Sequence, residues 1–411
     1  MPASPLKVLF FAEGATLAHV ARPYVAAQSL SPEAFEVVFA RPSSFAWLTA
    51  GSGFRTIDLP CQDGKVFARR LEHGRPLYDY ATLAAYVEQD LALIDAERPD
   101  VVIGDFRLSL SVSARLRNVP YVTICDAYWS PEYPSQPPLP VLSFTRFTPI
   151  PLASLLFRYV APLAMRLHTL PLERLRAHHG LPSLGHDLRR CYTDADLRLF
   201  ANFPELFPEV AESETATFIG PISWSPAANA SLELTTAGRP LVYVTMGSSG
   251  DIGVLGSVIE AVGSFDCDIV VSTAGRKIPR NVQTRSTRIF DYLPGDQVCS
   301  QASLVVCNGG SPTTNQALAH GVPVLGIASN MDQFMNMRSV ETFGAGILLR
   351  GDRVRPEPLA RAIASLLNDP VPASRAKLLG ASHSLAQPGH WLEGVIVRLH
   401  TKARFTNLAR N

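Results

Sequence analysis

YLPGDQVCSQASLVVCNGGSPTTNQALAHGVPVLGIASNMDQFMNMRSVETFGAGILL, residues 292–349, carries the alternation that decides the architecture. The run 304–307 is apolar throughout and stops at Asn308-Gly309-Gly310. A helical pattern opens at Ser311-Pro312-Thr313-Thr314, Gly321 caps it, and Pro323 leads into a second apolar run at 324–326. A run with no polar face predicts a strand covered on both sides, and strand–helix–strand repetition predicts a parallel sheet flanked by helices.

The same alternation extends in both directions. Upstream, strands are expected at 7–12, 35–40, 101–103 and 121–124, with LSLSVSARLRN between the last two long enough for a crossover helix. Later strands are expected at 241–245, 269–272, 288–290 and 347–349. Residues 220–240, GPISWSPAANASLELTTAGRP, interrupt the pattern with Gly, Pro, Ser, Thr and Ala and read as a linker. The fold class expected is therefore α/β, with two Rossmann-like domains. They run from 1 to 222 and from 240 to 390, joined by a linker at 223–239 and followed by a helical segment at 391–411.

Length and composition agree with this. A chain of 411 residues suits two domains, and 47% hydrophobic residues supply a core for each. Lys plus Arg (37) balances Asp plus Glu (36), which argues against a nucleic-acid binder. Cys61, Cys125, Cys191, Cys267, Cys299 and Cys307 form no C-x-x-C pair, so free thiols in a reducing, cytoplasmic setting are expected, without disulfides or zinc. The apolar VLFFA near the N-terminus stops at Glu13 and reads as a strand, not a secretory signal. No run of 18 apolar residues lacks a charge, so no membrane span is expected.

One segment breaks the alternation. Residues 130–171 are loaded with Pro, Phe and Leu, punctuated by Arg146, Arg158 and Arg166. They read either as an irregular connection plus a core helix, or as a functional surface. The functional options are a wall of an apolar acceptor cleft and a peripheral contact with a membrane or partner.

The Gly309-Gly310 turn has a specific chemistry. Paired glycines let backbone approach a ligand, and the helix start beyond them offers unpaired N–H groups and a partial positive charge suited to a diphosphate. Thr313 and Thr314 add hydroxyls at that end. A tight strand-to-helix turn with a hydroxyl cap would look the same.

The wider segment resembles the donor-binding signature of the family 1 nucleotide-sugar glycosyltransferases, which include bacterial macrolide and antibiotic enzymes and the UDP-glycosyltransferases. The resemblance implies two Rossmann-like domains facing across a cleft, the GT-B fold. It implies that Tyr292 and Leu293 contact the nucleotide base, with Tyr292 placed to stack on a pyrimidine. Gly309, Gly310, Thr313 and Thr314 would hold the diphosphate, and Asp332 and Gln333 the sugar hydroxyls, with Asn336 following at a familiar spacing. Ser248 and Ser249 would reach the nucleotide from the loop after the first strand of the second domain. Where the family has a His before the glycines, this chain has Asn308, whose amide can still donate a hydrogen bond.

The resemblance also implies a catalytic pair. His19, in EGATLAHVARP, resembles the family's general base, spaced one residue wider than its commonest form. Asp105 ends the strand at 101–103 and is the candidate orienting acid. Both expected strands open onto the carboxyl edge of a parallel sheet, where ligands bind. A carboxylate on Nδ1 would leave Nε2 to take an acceptor proton. Singly, His19 is a common helix-start residue and Asp105 a common N-cap. Glu13 is a reserve polar group near the cleft. The His178-His179 pair lacks metal-ligand spacing.

The activity implied is transfer of a sugar from UDP or TDP to a hydroxyl of an apolar acceptor, with inversion. The nucleotide-sugar is a co-substrate, and neither a cofactor nor a metal is expected. Asp194-Ala195-Asp196 and Asp266-Cys267-Asp268 could pair on a cation but run into expected strands, which puts them at the wrong edge of the sheet. A nucleotide-sugar epimerase would need no acceptor cleft, and 130–171 and the His19–Asp105 pair speak against it. A non-catalytic homologue or partner protein is favoured by Asn308 and opposed by Asp332-Gln333. A dehydrogenase would need a G-x-G-x-x-G loop, which is missing after the first strand. Acceptor, sugar, base and oligomeric state stay open.

Overall fold

The computed structural model describes residues 5–134, 136–226, 234, 238–247, 250–277, 287–384 and 388–408. The first half carries β1 (Leu6–Ala12), α1 (Ala18–Gln28), β2 (Phe35–Arg41), α2 (Ala46–Thr49), β3 (Arg55–Asp58), α3 (Gly64–Glu72) and α4 (Tyr80–Glu97). It continues with β4 (Val101–Asp105), α5 (Leu110–Leu116), β5 (Tyr121–Cys125), α6 (Ile150–His178), α7 (Leu188–Thr193), β6 (Leu197–Phe200) and β7 (Ala216–Phe218). The second half carries β8 (Leu241–Thr245), α8 (Leu255–Val262), β9 (Asp268–Ser272), β10 (Thr287–Phe290), α9 (Gly295–Cys299), β11 (Leu304–Cys307) and α10 (Ser311–Ala319). It ends with β12 (Val324–Ala328), α11 (Met331–Phe343), β13 (Gly346–Arg350), α12 (Pro356–Asn368), α13 (Pro370–Ser384) and α14 (Pro388–Leu408).

These strands form two parallel sheets, ordered β3-β2-β1-β4-β5-β6-β7 and β10-β9-β8-β11-β12-β13. In each, the chain winds outward from the first strand, returns, and continues on its other side. That reversal leaves a crevice beside the first strand at its carboxyl end, the usual ligand position of doubly wound sheets. The α/β fold class expected from the sequence is the one observed.

The apolar runs become strands because both faces are covered. Every residue of β4, β5, β8, β9, β11 and β12 is buried. Each such Val, Ile or Leu contributes about 1.5–3 kcal/mol on burial. The strands β3 and β7 lie at the sheet edge, short and partly exposed, and the apolar-run criterion does not find them.

Of the expected linker, 227–233 and 235–237 lie outside the described residues. Its start docks on the second domain, where Ser225 Oγ accepts from Asp296 N and Gln316 Nε2, both at 3.0 Å. Within α14, Leu392, Val395 and Ile396 join the core cluster of the first domain with Val8, Phe10 and Val20. Glu393 of the same helix accepts from Ser31 N at 2.7 Å.

The 130–171 segment is an irregular stretch followed by α6, and α6 is not a core helix. Its inner side is narrow, with Ala153, Ala161, Thr169 and Leu172 buried. Leu152, Leu156, Tyr159, Leu163, Leu167 and Leu170 are exposed. The irregular connection is as expected, but the core helix is corrected: the apolar residues of α6 lie on more than one face, and among the described residues only one face is packed.

Candidate active site

Parallel pairing of β1 with β4 sets Ala12 beside Asp105, so both strands deliver their following residues to one place. From the loop after β1, α1 brings His19, whose Nδ1 lies 2.7 Å from Asp105 Oδ1. An ionised carboxylate only accepts, so this contact places the proton on Nδ1 and leaves Nε2 as a base.

The opposite side of the carboxylate is held by Arg22, one helical turn after His19. Its Nε donates to Asp105 Oδ2 at 2.7 Å and its Nη2 to Oδ1 at 2.9 Å. Arg22 Nη1 also donates to Asp126 Oδ2 at 2.7 Å, and Asn202 Nδ2 donates to the other Asp126 oxygen at 3.1 Å. Burial by itself would push the Asp105 carboxyl up, but the charges of Arg22 and then His19 outweigh it and hold the group below its usual value. Asp105 is thus a fixed anion.

Rings enclose the imidazole. Phe106 stacks on His19 with centroids 4.9 Å apart and planes 15° from parallel. It adopts φ of 57°, an unfavourable backbone for a bulky residue, of the kind held at functional sites. Tyr192 meets Phe106 at 5.0 Å and Trp129 at 4.9 Å, and Phe67 of α3 approaches Phe106 at 6.2 Å. The imidazole therefore sits against an aromatic cluster in which Phe67 is buried in the core and Phe106, Tyr192 and Trp129 are partly exposed.

In the second domain, the turn after β11 faces the loop after β8. Gly309 has φ of 78°, and a Cβ there would sit 2.6 Å from Met337 Cγ. Gly310 precedes α10, whose first turn contains Pro312. Asn308 is buried, and its Oδ1 accepts from Gly310 N at 3.2 Å. Asn336 Nδ2 clamps the turn by donating to Gly309 O at 2.9 Å and Thr314 Oγ1 at 3.0 Å.

The two threonines part ways. Thr314 is fully buried and its hydroxyl donates to Gly310 O at 2.6 Å, so it braces the turn and offers no free donor to a phosphate. Thr313 stays half-exposed at the helix start. Tyr292 is exposed, with its ring against Gly275, whereas Leu293 is packed into the core. Gln333 Oε1 caps α11 by accepting from Ser329 N at 2.8 Å, and its buried Nε2 has no hydrogen-bond partner among the described residues. Ser248 and Ser249 lie outside the described residues.

Asp332 connects the halves. Trp129 Nε1 donates to Asp332 Oδ1 at 2.9 Å across the cleft. Burial, and then the negative charge of Asp126, push the Asp332 carboxyl up. The His19–Asp105 pair and Asp332 are thus linked through the 3₁₀ turn Ala127–Trp129 that follows β5, whose Trp129 reaches Asp332. Sequence reasoning missed Arg22, Phe106, Asp126 and Trp129. Arg22 was legible in principle, since a residue three after His19 on a helix shares its face.

Glu13 is not at the cleft surface. It is fully buried, 3.3 Å from Arg107 Nη1, and Arg107 Nε also donates to Asp90 at 3.0 Å. The D-x-D pairs are otherwise engaged. Asp194 meets Arg115 and Arg176, Asp196 accepts from Tyr121 N, and Arg239 pairs with both Asp266 and Asp268.

Comparison with known proteins places this geometry in context. Residues 256–391 match the family described as erythromycin biosynthesis protein CIII-like, C-terminal domain. A PGL/p-HBAD biosynthesis glycosyltransferase of Mycobacterium tuberculosis is 42% identical over 364 residues, covering 88% of this chain and 85% of its own. A PGL/p-HBAD biosynthesis rhamnosyltransferase of Mycobacterium bovis is also 42% identical, over 88% of this chain and 81% of its own. Among solved structures, a Streptomyces glycosyltransferase complexed with thymidine diphosphate superposes with a TM-score of 0.68. It is 16% identical and covers 95% of this chain and 99% of that one.

Proposed function

The chain belongs to the family 1 nucleotide-sugar glycosyltransferases, and on that premise we propose that it moves a hexose from a TDP- or UDP-sugar to a hydroxyl of an apolar acceptor, with inversion. The observation that carries this reading is the contact of His19 Nδ1 with Asp105, which leaves Nε2 without that partner, on an imidazole near enough to Asp332 to act on its carboxyl.

In the reaction, His19 Nε2 takes the acceptor hydroxyl proton as the oxygen attacks the anomeric carbon. The bond from that carbon to the diphosphate breaks, and the nucleotide diphosphate leaves with the electron pair. Asp105 steadies the imidazolium. Unpaired backbone N–H groups in the first turn of α10 and its positive dipole end meet the charge on the leaving group, whereas the Gly309 and Gly310 N–H groups are held within the turn. Attack from the face opposite the leaving group inverts the anomeric centre.

Donor and acceptor follow from weaker support. The rhamnosyltransferase relative favours a deoxyhexose, and the thymidine diphosphate complex favours TDP over UDP. The partly exposed rings of Phe106, Tyr192 and Trp129 favour an acceptor with a ring or alkyl body, in biosynthesis of the kind that the relatives' names record. Incubation with TDP-rhamnose and simple phenolic acceptors, read by proton NMR of the product, tests the reading. A product of opposite anomeric configuration supports it. Retained configuration, or donor binding with no transfer to any hydroxyl, contradicts it.

A further inference from the structure

Among the described residues, none covers the outer face of α6. Over 29 residues, about 43 Å of helix, Leu152, Leu156, Tyr159, Leu163, Leu167 and Leu170 recur every three or four positions. Tyr159 is 78% exposed and Leu163 61%, and Phe147, just before the helix, is 89% exposed. Monomeric soluble proteins rarely show a continuous apolar strip of this length to water.

Charge distinguishes the possible occupants. Residues 133–172 contain Arg146, Arg158 and Arg166 and no Asp or Glu. Beside them, α3 and its following turn carry Arg69, Arg70, His73 and Arg75 against one acid, Glu72, and with Val66 these four line a shallow cavity; Arg70 also pairs with Asp79. The two elements are tied, since His168 on α6 meets Gly74 O at 3.0 Å. A second copy seated on this face would bring like charges together, which costs affinity. A surface of anionic headgroups over an apolar interior complements both features.

Although α6 is long and apolar enough to cross a bilayer, both its ends are anchored. Ahead of it, Arg353 donates to the carbonyls of Thr145 and Thr148, at 2.6 and 2.8 Å. At its end, Leu172, Leu175 and Arg176 are buried, and Glu173 accepts from Leu184 N at 3.1 Å. The helix can lie in an interface but cannot leave the domain to span it.

We propose that the protein docks on anionic lipid bilayers through the exposed apolar face of α6, with Arg158, Arg166 and the arginines around α3 against the headgroups. In that pose α3 lies between the bilayer and the catalytic cleft, because its Phe67 packs on Phe106, which stacks on His19. The docking needs neither donor nor turnover, so its success or failure is independent of the reaction proposed above.

Flotation of the full chain with phosphatidylcholine vesicles, with and without phosphatidylglycerol, tests this. The wild type is expected to float with the anionic vesicles. Leu156→Glu with Leu163→Glu should weaken this at least about tenfold, since two leucines lose their burial. Arg158→Glu with Arg166→Glu should abolish the preference for phosphatidylglycerol. TDP titration and circular dichroism verify that each variant is folded. No flotation of the folded wild type with either vesicle overturns the proposal. So does a dimer in light scattering that the leucine variant dissolves while vesicle binding stays unchanged.

Discussion

Nδ1 of His19 stands 2.7 Å from Oδ1 of Asp105, and the same carboxylate receives two further hydrogen bonds from Arg22. The acid is thus shared between the base it orients and a guanidinium that keeps it ionised. In the proposed reaction Asp105 acts through His19, and Arg22 through Asp105.

His19→Ala should reduce transfer by roughly 10²–10⁴-fold, the usual worth of a positioned general base, with TDP affinity unchanged. Asp105→Asn should lower kcat in the same direction, because the amide no longer fixes the tautomer of His19. Steady-state kinetics beside calorimetric titration with TDP separate the two quantities.

Arg22→Met should be strongly destabilising, by about 3–5 kcal/mol, because it strands Asp105 and Asp126 in the interior. Arg22→Lys should not restore kcat, since an ammonium lacks the fork that grips both carboxylates. Urea unfolding and kcat against pH check the two statements.

The lowered Asp105 value fixes the sign of a pH effect. A depressed carboxyl contributes stability that is fully present above its unfolded value, about 3.9. It is lost as pH falls through the lower folded value. The stability gap between wild type and Asp105→Asn should therefore be constant near neutrality and close only in stronger acid. Urea midpoints at neutral pH and below pH ~4 measure the gap.

The sequence shows why some of this was foreseeable. Apolar runs such as 241–245 and 304–307 became strands β8 and β11 unchanged, because residues buried on both faces leave no polarity to blur the signal. The polar edge strand Arg55–Asp58 pairs on one side only and carries no such signal. His19 and Asp105 were singled out by their resemblance to a family pattern, and their contact follows from parallel strands that deliver their ends to one edge. Trp129 and Asp332 meet only through the packing of one domain on the other, which local pattern does not encode. The orientation of α6 was likewise invisible, since apolar composition is the same for a helix turned inward or outward.

Gly309→Ala should cripple the turn, because φ of 78° disfavours any Cβ and Met337 occupies the space. A cost of about 1–2 kcal/mol from the backbone alone is expected, with TDP binding weakened and the fold retained. Thermal unfolding and TDP titration together decide it.

The most direct test is calorimetric titration of wild type and His19→Ala with TDP and UDP, paired with a transfer assay from the matching nucleotide-sugar. Both proteins should bind the same nucleotide with equal affinity, and only the wild type should transfer. If neither nucleotide binds at millimolar concentration, or if His19→Ala transfers at the wild-type rate, the cleft described here is not the site of the reaction.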